Sequence, residues 1–184
     1  MKPLILASGS PRRAKILRDL GVEFEIVKTE APEVSIPHDP VRTVTENALA
    51  KLHAAPTEGR ATLAADTIVW FNNRIYGKPR DLDEAKEFLR ELSGQTHVVF
   101  TGVAFRAEDG TERTACVESR VTFRGLSEEM IDDYVARVHP TDRAGAYDID
   151  ESGDLIVASY DGSYENIMGL PVEPLRDFGI SLNP

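Results

Sequence analysis

Cysteine is all but missing from this chain of 184 residues: Cys116 is the sole thiol. No intramolecular disulfide and no thiolate cage for a metal can form, and a reducing compartment, the cytoplasm, is the expected location. Basic residues are outnumbered, 21 Lys and Arg against 31 Asp and Glu, for a formal charge of −10. That is the wrong sign for gripping nucleic acid by counterion release, so no nucleic-acid partner is expected and any polyanion must bind at a local basic cluster. Long apolar runs are absent as well. The opening Leu4-Ile5-Leu6-Ala7 stops at Ser8, too soon for a signal peptide, and no segment nears the roughly eighteen apolar residues that span a bilayer; no membrane partner is expected. There is no internal repeat, and the glycines and prolines are scattered, so residues 1–184 are expected to form a single globular domain. His38, His53, His97 and His139 fall at no zinc spacing, and no Walker A, G-x-G-x-x-G or G-x-S-x-G motif occurs.

What is present is an alternation of strand and helix signals, which predicts an α/β fold. Leu4 to Ala7 reads as a short buried strand. A helix follows, with Ile16, Leu17 and Leu20 on one face and Gly21 as its stop. Val22 to Val27 alternates like an exposed strand, Val41 to Ala54 reads as a helix, and Ala61 to Phe71 as a long strand turning at Asn72-Asn73 into Ile75-Tyr76. Asp81 to Leu92 predicts a helix with Ala85, Phe88, Leu89 and Leu92 on one face. His97 to Arg106 and Arg113 to Phe123 read as a hairpin, and Glu128 to Val138 as a helix capped by Ser127. Residues 139–154 read as a long loop, a length more often functional than idle.

The turn Ser8-Gly9-Ser10-Pro11-Arg12-Arg13 lies between the first strand and the first helix. Ser10 suits an N-cap and Pro11 the first helical position. Arg12 and Arg13 then fall in the first helical turn, where the macrodipole disfavours cations. A bound anion repairs this, since backbone N–H groups and two guanidinium forks converge on phosphate oxygens. The plain alternative is a pair of surface arginines bound to Asp19 or a distant carboxylate. Either way the cost of such cations is only a few tenths of a kcal/mol to about 1, so their removal is expected to change stability little.

Asp66 interrupts the apolar run Leu63 to Val69, so it is either ion-paired or functional, as a proton acceptor or a ligand for a divalent cation. Glu33, after the second strand, is a candidate to join it. Lys78, in Gly77-Lys78-Pro79, and Lys51, late in a helix, are surface charges or the rest of a metal-assisted polyphosphate site. Asp148 to Gly153 matches the first half of a calcium loop, but Ser159 stands where a bidentate Glu is required and a strand-like run follows, so a calcium site is not expected.

Six segments in order, L-A-S-G-S-P-R-R (6–13), A-D-T-I-V (65–69), G-K-P-R (77–80), L-S-G-Q-T-H (92–97), A-G-A-Y (144–147) and G-L-P (169–171), resemble the Maf family of nucleoside triphosphate pyrophosphatases. The resemblance implies a two-lobed mixed sheet with flanking helices and a central nucleotide cleft, similar to inosine triphosphate pyrophosphatases, and usually a homodimer. It implies hydrolysis of a nucleoside triphosphate to monophosphate and pyrophosphate, as house-cleaning of nucleotide pools, with Mg²⁺ or Mn²⁺. Carried over by position, it implies that Ser8, Arg12, Arg13, Lys51 and Lys78 bind the triphosphate, that Asp66 accepts a proton, and that Glu33 and Asp66 hold the metal. Arg12, Thr67 and Asp150 fall on specificity positions. Members acting on dTTP and UTP carry Gln where this chain has Asp150, whereas Arg12 and Thr67 look like that pyrimidine type. The expectation is therefore dTTP or UTP, with 7-methylguanosine triphosphate, another modified base, or a non-catalytic nucleotide-binding regulator of cell division as alternatives.

Overall fold

The computed structural model describes residues 2–56 and 59–182. Helix starts are fixed locally. Ser10, Asp39, Asp81 and Ser127 each accept a backbone N–H with the side-chain oxygen, opening α1 (Pro11–Asp19), α2 (Pro40–Ala54), α3 (Leu82–Leu92) and α4 (Glu128–Val138). Pro11 and Pro40 occupy first-turn positions where the missing N–H costs nothing. The strands are β1 (Leu4–Leu6), β2 (Phe24–Ile26), β3 (Thr62–Phe71), β4 (Arg74–Tyr76), β5 (Thr96–Arg106), β6 (Glu112–Phe123) and β7 (Val157–Asp161). Two short helices, α5 (Tyr164–Met168) and α6 (Glu173–Asp177), follow β7. Both are too short to show a helical period. The segment 139–154, expected as a loop, contains three single turns, at Pro140–Asp142, Ala144–Ala146 and Gly153–Leu155.

All seven strands form one sheet in the order β2-β1-β3-β5-β6-β7, with β4 also on β3. β2, β1 and β3 are parallel, and the remaining pairs are antiparallel. The expected α/β mixed sheet with flanking helices is what is found. One edge of β3 is filled by β5 from Thr62 to Trp70. Its other edge is shared: β1 pairs at Thr62 and Leu63, and β4 at Val69 to Phe71. Between them, from Ala64 to Ile68, that edge has no strand neighbour, and the sheet carries a gap.

Period-two alternation sends β3 side chains to opposite faces. Ala64 and Ile68 pack beneath Val44, Ala48 and Leu52 of α2. Leu63 and Ala65 pack with Leu6, Ala14, Leu17 and Met168, whereas Val69 joins Phe88, Leu89 and Tyr134 from α3 and α4. This face of the sheet thus carries two separate cores.

Gly102 on β5 pairs in register with Asp66. A Cβ placed there would stand 2.4 Å from the Val44 carbonyl oxygen and 2.6 Å from its carbon, so the α2 backbone lies directly on the sheet. Neither atom can swing away as a side chain would. Gly102→Ala is expected to cost about 3 kcal/mol of stability, an overpacking penalty at backbone. Gly125, where a Cβ meets nothing within 4 Å, is the control; Gly125→Ala should stay within about 0.5 kcal/mol. Chemical denaturation of both variants checks this, and equal effects would refute the close contact as the cause.

Candidate active site

The gap in the sheet opens into a cleft of about 370 Å³, within the range of small-molecule sites. Its walls include Ser8, Arg12, Arg13, Glu33, Lys51, Asp66, Thr67 and Lys78. Residues separated by up to seventy positions in sequence therefore share one cavity. Lys28, which no sequence signal singled out, lines it as well. Alongside the charged groups, the apolar side chains of Val69, Val99, Ala144, Ile167 and Met168 also line the wall.

Asp66 sits at the middle of the vacated β3 edge, only 6% exposed. Each carboxylate oxygen has its own donor. Lys51 Nζ lies 2.6 Å from Oδ1 and Asn47 Nδ2 lies 3.0 Å from Oδ2. Asn47 and Lys51 stand at i and i+4 on α2 and so share a face. That spacing was available in the sequence as a signal for Asn47, which was missed. Lys51 Nζ also lies 2.8 Å from Glu33 Oε1. Partial burial opposes ionisation of Glu33, but the Lys51 hydrogen bond and charge, with Lys78 and Arg13 behind, outweigh it and hold the carboxyl below its ordinary value.

The basic turn is folded as its residues dictate, with Ser10 Oγ 3.5 Å from the Arg13 backbone N–H. Neither arginine binds Asp19, whose partner is Lys15. Arg13 donates from Nε to Gly169 O at 2.7 Å, from Nη1 to Ser8 Oγ at 3.2 Å and from Nη2 to Thr67 Oγ1 at 3.0 Å. It thereby ties the β1–α1 turn to the end of α5 and to β3. Three hydrogen bonds of this kind, set against a small macrodipole cost, argue for a larger contribution of Arg13 to stability than the sequence alone suggests. Burial lowers the Arg13 guanidinium to about 10, partly offset by Asp66, so it stays cationic at neutral pH. Arg12 makes a looser contact, Nη1 to Asp148 Oδ2 at 3.3 Å.

Thr67 lines the cleft with its hydroxyl shared between Arg13 and Thr101 Oγ1, the latter 2.9 Å away. Asp150 is placed differently from expectation. It is exposed, its Oδ1 accepts the Tyr164 hydroxyl at 3.0 Å, and it is not in the cleft wall. The carboxylate that does line the wall is Asp148, 5% exposed and held by Arg12 and by Arg143 Nε at 3.1 Å. The Asp150 backbone N–H donates to Asp148 Oδ1 at 2.9 Å, and this local turn tips the Asp150 side chain outward.

The 144–148 segment is brought against β3 at Gly145, where φ is +67° and a Cβ would lie 2.6 Å from Val69 Cγ2. This seats Tyr147 in the cleft wall, its hydroxyl 2.9 Å from His97 Nε2. His97 is enclosed edge-on by Phe123 and Tyr147, and burial lowers its pKa to about 3. Among the described residues no group of three or more His, Cys, Asp and Glu gathers as a metal cage. The two hard carboxylates that bracket the Lys51 ammonium, Asp66 and Glu33, are the available donors. A buried carboxylate facing a cavity rich in lysine and arginine can take a proton from water beside a neutralised polyanion.

The chain belongs to the Maf family: the family described as Maf-like protein matches residues 3–178. A Bacillus cereus protein named dTTP/UTP pyrophosphatase is 45% identical over 189 residues, covering 99% of this chain and 93% of that protein. A Bacillus anthracis protein of the same name is 44% identical, covering 99% of this chain and 98% of its own length. Among solved structures, the Ham1 protein of Staphylococcus aureus aligns at 12% identity with a TM-score of 0.49, over 67% of this chain and 73% of that one. That likeness is too distant to carry an argument.

Two stability outcomes follow from this geometry. Arg13→Ala should lower unfolding free energy by about 2 kcal/mol, from lost and orphaned hydrogen bonds. Arg12→Ala should cost under about 1, since Arg143 keeps Asp148 paired. Thermal melts of the ligand-free variants test the order. His97 gives a pH effect. The unfolded chain binds this proton near 6.5 and the native state only near 3. The neutral ring therefore contributes stability in full above 6.5, and that contribution is lost as pH falls towards 3. Between roughly pH 7.5 and 5 the parent should lose about 2 kcal/mol more than His97→Gln, read from denaturant midpoints.

Proposed function

We propose that this chain is a nucleoside triphosphate pyrophosphatase that converts dTTP and UTP to the monophosphate and pyrophosphate. The observation that carries the reading is a buried carboxylate, Asp66, at the centre of a sheet gap, in a cleft whose wall includes Arg12, Arg13, Lys51 and Lys78. Family membership and the names of the relatives point to the same reaction.

In this reading the triphosphate lies among the Ser8–Arg13 turn and the two lysines, and the nucleoside lies against apolar side chains of the wall such as Val69 and Ile167. Asp66 accepts a proton from the attacking water. The water oxygen bonds to the α-phosphorus as the bond from that phosphorus to the bridging oxygen breaks, and pyrophosphate departs against the cations. Lys51, already between two carboxylates, and Lys78 neutralise charge on the leaving group.

A divalent cation fits the donor set. Mg²⁺ is commonly held by one or two carboxylates with water and substrate phosphates supplying the rest, and Asp66 and Glu33 bracket a position that a cationic group, the Lys51 ammonium, already occupies. These two residues would hold Mg²⁺ or Mn²⁺, which when bound supplies further neutralisation of phosphate charge. Asp66 and Glu33 are thereby both metal ligands and partners of Lys51.

Base choice rests on the relatives. In this reading Asp150, exposed, bonded to Tyr164 and outside the cleft wall, does not count against a pyrimidine base. A homodimer is part of the same proposal. Cytoplasmic location is proposed on the single cysteine, Cys116.

Asp66→Asn should fold and lose on the order of 10²-fold or more in kcat, the typical contribution of a general base. The parent should release pyrophosphate and monophosphate in equal amounts with Mg²⁺ or Mn²⁺, dTTP and UTP leading a panel of triphosphates. Orthophosphate as first product refutes the reaction, and nucleotide binding without turnover would leave a binding protein instead.

A further inference from the structure

Asn47 makes three hydrogen bonds inside the protein and none to the cleft. It is 3% exposed, and it is absent from the cavity wall. Its Nδ2 donates to Asp66 Oδ2 at 3.0 Å and to Val34 O at 3.0 Å, and its Oδ1 accepts the Val34 backbone N–H at 2.8 Å. Both N–H bonds and the oxygen of one amide are in use. On one side it is paired with the backbone of residue 34 as two peptide groups pair; on the other it touches the carboxylate of β3.

We infer that Asn47 is a positioning residue: it fixes the Asp66 carboxylate and registers the Glu33 loop to it, an inference that rests on the pyrophosphatase reading. The physical case turns on what Lys51 cannot do alone. A carboxylate torsion is broad, and one contact leaves the second oxygen free to swing. Lys51 is a flexible ammonium attractive to phosphate, so an incoming triphosphate competes with Asp66 and Glu33 for it. The Asn47 amide is neutral, is pinned by Val34 and is turned away from the cleft. It remains on Oδ2 when Lys51 is drawn to the substrate. Because residue 34 follows Glu33 directly, the same amide sets where the Glu33 carboxylate stands.

The competing account is that Asn47 merely satisfies loop backbone groups. The two differ in a double-mutant cycle. Asn47→Leu keeps the volume and removes all three bonds. It should lower kcat roughly 10- to 100-fold, the scale of a small misplacement of a reacting group, with KM for dTTP within about threefold because the residue does not reach the substrate. In the Asp66→Asn background the same substitution should cost several-fold less than in the parent, since most of its effect passes through Asp66 and only the part that runs through Glu33 remains. If Asn47→Leu does not fold, Asn47→Asp serves: it keeps the acceptor for Val34 N–H but sets an acceptor against Asp66 Oδ2, and it should show the same loss of kcat at near-constant KM. Unchanged kcat in a folded variant, or losses that simply add in the double variant, overturn the role. Pyrophosphate release by the parent is measured alongside. Its absence refutes the pyrophosphatase reading and the role together, whereas a working parent with a working Asn47 variant refutes the role alone.

Discussion

The candidate site depends on how closely one helix backbone approaches one strand. At Gly102 the main chain of α2 rests on β5 with no side chain between, and Gly102 is the register partner of Asp66. Val44 makes that contact; Asn47 and Lys51, three and seven residues further along α2, recur on the same face. The distance from helix to sheet is thus set by a missing Cβ, and the short reach of an asparagine amide to a strand carboxylate is possible only at that distance. A helix displaced by the width of a methyl group would leave Asp66 Oδ2 without its donor.

Charge is distributed in keeping with this geometry. The chain carries −10 overall, yet the cleft gathers Arg12, Arg13, Lys28, Lys51 and Lys78. The acidic groups in the same wall are engaged: Asp66 and Glu33 by Lys51, Asp142 by Arg143, and Asp148 by Arg12 and Arg143. A polyanion entering the cleft meets cations that have partners to exchange rather than bare carboxylates. Arg13 differs from the others, because its three contacts span three elements and make it part of the frame.

Much of this was legible in the sequence wherever a local rule was either obeyed or broken. Ser10 and Pro11 announce a helix start, and Arg12 and Arg13 break the preference for acids there. Asp66 is conspicuous as a charge in an apolar strand. The long elements were readable because periodicity accumulates over ten residues or so; α5 and α6, five residues each, offer too little of it. Asp150 is a different case. A two-residue shift between Asp148 and Asp150 exchanges a buried wall position for an exposed one, and that choice is made by contacts with Arg12, Arg143 and Tyr164, distant in sequence. Gly102 carries no local sign of its role, since the atom it must avoid belongs to α2.

The interrupted edge of β3 is a strand edge left open within the sheet. Unpaired strand edges invite pairing by other chains, and proteins commonly blunt them with charge, bulges or covering elements. Here the bare stretch from Ala64 to Ile68 is stopped at both ends by β1 and β4, so an incoming strand cannot extend along it. Lys51 and Lys78 stand beside it in the cleft. The recess is too short at both ends for an added strand, and the lysines beside it are residues of the kind that blunts a strand edge.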